Sequence, residues 1–297
     1  MRILVLVLAS ISLFTAACTD DNAAGNPAPI PNIAQIVAQS PNFSTLNAAL
    51  VRTNLTGALT SGALTVFAPD NAAFINSGIT DINAVPVTKL DSILKYHVLG
   101  QIVGSSVVPV SDTVKSILGK NIFASRNING VFVNGVNIDQ ADILASNGVI
   151  HKIHNVLIPP TKTIAEIASG DTSFSFLVAA LVKLNLVSAV SGPGKYTVFA
   201  PTNAAFRAAG ITDINAVPIA TLDAVVKYHV LTTNVFASDL VNNATATTLQ
   251  GGTITIATTP AAGVKITGSA QPFSTITAVN ITATNGVIHV LNRVMLP

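Results

Sequence analysis

The chain is 297 residues long, has a net charge of only +2, and is just 9% charged. Its lysines and arginines form no run or stripe, which excludes the electrostatic footprint of nucleic-acid binding. A single cysteine excludes an intrachain disulfide, and the length suits roughly two domains stabilised by apolar burial and hydrogen bonds.

Arg2 and the apolar run Ile3–Phe14 read as a signal peptide covering residues 1–17. The run is too short to cross a bilayer as a stable helix. Thr15-Ala16-Ala17-Cys18 resembles a bacterial lipobox, with Thr15 where that pattern prefers Leu. It implies a lipidated Cys18 at the mature N-terminus, and ordinary cleavage near Ala17 is the alternative. The acidic pair Asp20-Asp21 resembles the surface-export signal of Bacteroidetes lipoproteins, or else is part of a solvated tether. Residues 18–32, ending in the Pro/Gly/Ala-rich stretch Asn22–Asn32, form a linker.

Apolar spacing then predicts helices at Ile33–Gln39 and Phe43–Leu55, and a strand at Leu64–Ala68. Pro69–Phe74 reads as a turn into a short helix. Pro86 stands where a helix N1 proline would, and the helix after it places Leu90, Ile93, Leu94, His97 and Val98 on one apolar face. Tyr96 falls toward the edge of that face. Asn129-Gly130 and Asn134-Gly135 punctuate Phe123–Ile138 as hairpin turns, and Val149–Leu157 is a closing strand.

The same order then recurs. Residues 65–103 and 197–235 align at an offset of 132, with about two-thirds of positions identical. A second pair, ASNGVIHKIHNVLIPP from Ala145 and ATNGVIHVLNRVMLP from Ala283, aligns at an offset of 138. A period this long is a whole domain, not a solenoid unit. The predicted domains are 33–159 and 160–297, and the short connection Pro159-Pro160-Thr161 predicts a restricted interdomain angle.

The blocks TVFAPTNAAF, KYHVL and NGVIHVLNRVMLP resemble, in order and twice over, the first block, the central Tyr-His motif and the second block of the fasciclin domain. The resemblance implies an α+β fold, with each of two tandem domains a β-sandwich wedge carrying packed helices. It implies a non-enzymatic extracellular adhesion protein whose partner is a cell-surface protein, a matrix protein or a polysaccharide. With Cys18 lipidated, the chain is expected on the outer membrane or cell surface, touching the membrane only through its lipid. A periplasmic or surface accessory that binds a small ligand or glycan is the alternative.

Within that frame, Tyr96 and Tyr228 are the candidate adhesion contacts. His97 and His229 lie on the apolar helix face and are expected to be structural, as are His151 and His289 beside the repeated Asn-Gly turn. His151 and His154 are three apart, so on a strand they face opposite sides, and Asn292 stands in place of His154 in the second copy. No metal, cofactor or catalytic spacing is expected. Asp70 is a possible partner for a histidine, yet Thr202 occupies its place in the second copy. Asp112-Thr113-Val114, and Asp91-Ser92-Ile93 within a predicted helix, fit the Asp-Ser/Thr-aliphatic pattern of Bacteroidetes O-glycosylation.

Overall fold

The computed structural model describes residues 29–108, 111–259, 263–268 and 273–297. The expected signal segment, Cys18 and most of the expected linker lie outside these residues.

The first domain runs α1 (Ile33–Gln39), α2 (Ser44–Arg52), β1 (Leu64–Pro69), α3 (Asn71–Asn76), α4 (Val87–Tyr96), β2 (Val98–Leu99), β3 (Ser111–Lys115), β4 (Asn121–Asn127), β5 (Gly130–Val133), β6 (Val136–Ala145) and β7 (Gly148–Ile153). The second runs α5 (Ile164–Ser169), α6 (Ser175–Lys183), α7 (Val187–Ser191), β8 (Tyr196–Pro201), α8 (Asn203–Ala208), α9 (Ile219–Tyr228), β9 (Val230–Leu231), β10 (Thr245–Thr247), β11 (Thr253–Thr259), β12 (Gly263–Thr267), β13 (Ser274–Ala283) and β14 (Gly286–Leu291).

Local chemistry fixes the helix starts, often with different residues doing one job. Asn32 and Gln35 make a capping box at α1, while Thr163 and Glu166 make one at α5. Asp70 accepts from the Ala73 N–H at 2.8 Å, and Thr202 accepts from Ala205 at 3.3 Å. Asp70 is therefore an N-cap that Thr202 can replace, and its ion pair is with Lys152 at 3.4 Å rather than with a histidine. Pro86 and Pro218 stand one residue earlier than predicted. Their extended ψ makes them N-caps, and their carbonyls accept the first helical hydrogen bonds, from Leu90 and Leu222.

Each domain has one seven-stranded sheet, in the order β2-β1-β7-β6-β5-β4-β3 and, in the second, β9-β8-β14-β13-β12-β11-β10. Only β1/β7 and β8/β14 are parallel. The sheet curls until its ends nearly meet: Ile117 N–H donates to the Val98 carbonyl, and Leu249 N–H to that of Val230. Curling protects both edge strands from pairing with other chains. The turn at Asn134-Gly135 has φ of 48° and 73°, the left-handed pair that a two-residue hairpin needs. The turn expected at Asn129-Gly130 centres instead on Ile128 and Asn129, because Gly130 already pairs with Asn127.

β1 is buried on both faces. Val66 and Ala68 face a helix-side core with Leu46, Leu90 and Ile93. Phe67 faces the sheet interior with Ile122, Val133 and Ile153. Double burial explains why TVFAP reads as a near-continuous apolar run rather than an alternating one. The second domain repeats both cores around Val198 and Phe199.

Candidate functional site

The repeated motif residues turn inward. Tyr96 and Tyr228, expected near the edge of the helix face as adhesion contacts, are only 1% and 0% exposed. Each is the last residue of its helix, where the sheet curls over it. The Tyr96 hydroxyl donates to the Asn121 carbonyl at 2.7 Å and accepts from Asn134 Nδ2 at 2.8 Å. The Tyr228 hydroxyl donates to Thr253 at 2.8 Å. Burial pushes the Tyr96 phenol up to about 12. Neither ring is available at the surface of the folded domain.

His97 and His229 are buried at the helix ends with matching partners. Nδ1 of His97 donates to the Ile93 carbonyl at 2.7 Å, and Nε2 accepts from the Leu157 N–H at 2.9 Å. His229 does the same with Val225 and Met295. The acceptor role of Nε2 requires a neutral ring, and burial pushes both pKa values down to about 4. Each histidine thereby ties its helix to the closing segment of the domain.

His151 and His289 stack on Phe67 and Phe199, with centroids 5.7 and 5.6 Å apart. Their Nε2 atoms donate to Val103 and Val235, each at 2.8 Å. His151 Nδ1 accepts from the Asp142 N–H at 3.2 Å, whereas His289 Nδ1 is buried with no partner among the described residues. Burial lowers the His289 pKa. The Ser105 hydroxyl beside Asp142 holds that carboxyl below its ordinary range. His154 points outward toward Asp139 and Asn76. No group of three or more His, Cys, Asp or Glu side chains among the described residues could hold a metal.

Thr113 does not fit the glycosylation reading, because its Oγ1 is buried, without a partner and closed to a transferase. Ser92 lies inside α4, where its hydroxyl donates to the Thr88 carbonyl.

Several scaffold residues were missed, and their recurrence in both repeats was the available signal. Thr65 and Thr197 are fully buried, and their hydroxyls bridge the chain after β2 and after β9. Asn147 accepts from the first N–H of α1 and donates to Leu59, and Asn285 accepts from Ile164 and donates to Val190 and Gly192. Arg52 and Lys183 hold the repeated Asp-Ile-Asn-Ala-Val turn by its carbonyls.

The non-repeated residues build the junction between the domains. Ser125 Oγ donates to Asp239 Oδ1 at 2.7 Å, and Asn127 Nδ2 to the Ser238 carbonyl at 2.7 Å. Phe123 stacks on Phe236 with centroids 5.2 Å apart. Beside this contact lies a cleft of 270 Å³ lined by both domains, Lys115, Lys120 and Lys195 among its walls. No sequence pattern marked it, since its walls come from separate loops and strands.

The fasciclin domain model matches residues 41–159 and 172–297. Transforming growth factor-beta-induced protein ig-h3 of Sus scrofa is 29% identical over 248 residues, which are 80% of this chain and 35% of that protein. Periostin of Homo sapiens is 29% identical over 226 residues, 74% of this chain and 26% of its own. The chain thus spans only about a third or a quarter of those two relatives. Protein sll1483 of Synechocystis is 38% identical over 140 residues, 46% of this chain and 73% of its own. A solved domain pair from the insect cell adhesion molecule fasciclin I matches 84% of this chain and 92% of its own, at 17% identity and a TM-score of 0.42. With the family model matched over both repeats, the chain belongs to the fasciclin domain family, as a tandem pair of its domains.

Proposed function

We propose that this protein is a non-enzymatic adhesion protein, exported and held at the cell surface by lipid on Cys18. Its two fasciclin domains bind a cell-surface protein, a matrix protein or a polysaccharide. The observation that carries this reading is the family match over both repeats. The internal use of the motif residues supports it. Thr65, Tyr96, His97, Asn147 and His151 all spend their hydrogen bonds on their own domain. The motifs thus make a scaffold, and recognition falls to exposed loops and helix faces. Two domains on one chain add avidity when both engage one surface.

The test is protease shaving of intact cells, alongside attachment assays, on wild type and Cys18→Ala. Removal of the wild-type protein from intact cells, with loss of attachment when the protein is deleted, is the expected result. Protection until the envelope is broken would eliminate adhesion to other cells. A second reading, an accessory that binds a small ligand or glycan, is favoured by the interdomain cleft.

A further inference from the structure

We propose that the lysine-lined cleft between the two domains binds a uronic-acid residue of an acidic polysaccharide. This deepens the polysaccharide arm of the adhesion reading and rests on it for its biological role, though the binding itself stands on the cleft alone.

The whole chain holds 15 lysines and arginines, and three lysines line this one cleft: Lys115 at the end of β3, Lys120 in the turn to β4, and Lys195 ahead of β8. None of the described residues lining it is acidic. A concave wall of one sign focuses its potential and favours an anion. The alternation of β3 aims this charge. Thr113 and Lys115 face the cleft, while Val114 between them packs into the sheet interior.

Among the described residues, three buried side-chain polar atoms have no partner, and Thr113 Oγ1 and Asn234 Oδ1, two of the three, belong to residues that line this cleft. Buried polar atoms without partners are rare in native proteins. Asn234 Oδ1 needs a donor, and the Thr113 hydroxyl can give or take one. Both atoms are buried, and binding requires the two side chains to turn so that sugar hydroxyls supply both partners.

At 270 Å³ the space suits one or two sugar rings rather than a peptide helix. Lys195 stands where the first repeat has Ala63, and Phe236 where it has Gly104. The cleft is therefore a property of the pair, absent from either repeat alone. A carboxylate meets the lysines, and hydroxyls meet Thr113 and Asn234. An acidic sugar carries both groups.

The experiment is calorimetric titration of the full two-domain chain with galacturonic acid, its trimer, a neutral galactose trimer and inorganic phosphate. Wild type is compared with the double variant Lys115→Gln, Lys195→Gln and with Asn234→Ala. Binding of the acidic trimer is expected at least about tenfold tighter than the neutral one, weakening as salt screens the lysines. The double variant should lose about tenfold in affinity with an unchanged unfolding temperature. Binding of the monomer equal to that of the trimer places a chain end or free sugar in the cleft, and preference for the trimer places an internal residue there. Equal binding of acidic and neutral trimers, equal binding of phosphate, unaltered affinity in the lysine variant, or no heat with any sugar would each overturn the proposal. Attachment of protein-coated beads to matrix is read separately. Sugar binding without attachment sinks the adhesion reading and leaves the cleft, and attachment without sugar binding does the reverse.

Discussion

The Ser125 hydroxyl donates a 2.7 Å hydrogen bond to the Asp239 carboxylate, and so fastens a strand of the first domain to a turn of the second. Asp239 stands where the first repeat carries Val107, which is 66% exposed. The same turn is thus a solvent-facing corner in one domain and a docking element in the other. Together with the short Pro159-Pro160-Thr161 connection, these contacts predict that the two domains unfold as a coupled pair. Phe236→Ala with Asp239→Ala should uncouple them, the lost aromatic burial alone costing about 3 kcal/mol. Calorimetry should then resolve two transitions in place of one, and small-angle scattering should show a broader distribution of interdomain distances. A single unaltered transition would show that the contacts contribute nothing to coupling.

Acid should weaken both domains through His97 and His229. Their folded pKa values are pushed down to about 4 from an ordinary 6.5. The unfolded chain takes up these protons first, so the stabilisation is complete above pH 6.5. It drains as pH falls from 6.5 toward 4, by about 3 kcal/mol per histidine over that window. Urea unfolding across this range should show the slope, and His97→Gln, although less stable at neutral pH, should remove roughly half of it. A stability flat between pH 4 and 6.5 would rule out buried neutral rings.

Gly286 should be intolerant of any side chain. A Cβ there would lie 2.0 Å from the Tyr196 carbonyl oxygen, because β14 runs parallel and directly beside β8 at this point. Gly286→Ala must part the two central strands and should cost about 4 kcal/mol or more. Gly57→Ala is the control, since a Cβ there meets nothing within 4 Å, and it should stay within about 0.5 kcal/mol of wild type. Thermal unfolding of the two variants checks the contrast.

Tyr96→Phe should lower stability by about 1–3 kcal/mol, because it strands the Asn121 carbonyl and the Asn134 amide. Attachment measured on folded protein should not change. A loss of attachment with the fold intact would return Tyr96 to the role of contact residue.

Asn285→Ala should destabilise the second domain by about 2–4 kcal/mol, since one side chain serves Ile164, Val190 and Gly192. Hydrogen exchange should rise at the Ile164 amide first, because that N–H loses its acceptor. Unchanged exchange there would remove Asn285 as the tie between α5 and the sheet.

The sequence by itself determined the tandem fasciclin architecture. Its long repeat, the apolar run TVFAP and the helix spacing after Pro86 are local or self-similar patterns, and double burial and helical period write themselves into such patterns. It also placed His97 and His229 on the apolar side, since 3.6-residue geometry puts them beside Leu90 and Leu94. Only the tertiary structure decided the fate of Tyr96 and Tyr228. A helical wheel sees one helix, and these rings are covered by a sheet that curls over the helix end. The recurring polar residues Thr65, Asn147 and Arg52 were visible as repeats, but their bonds span from about 30 to more than 100 residues of sequence. The interdomain cleft left no trace at all. Lys115 and Lys120 share the hairpin of β3 and β4 while Lys195 belongs to the second domain, and the docking of Phe236 on Phe123, with the hydrogen bonds beside it, brings the three lysines to one place.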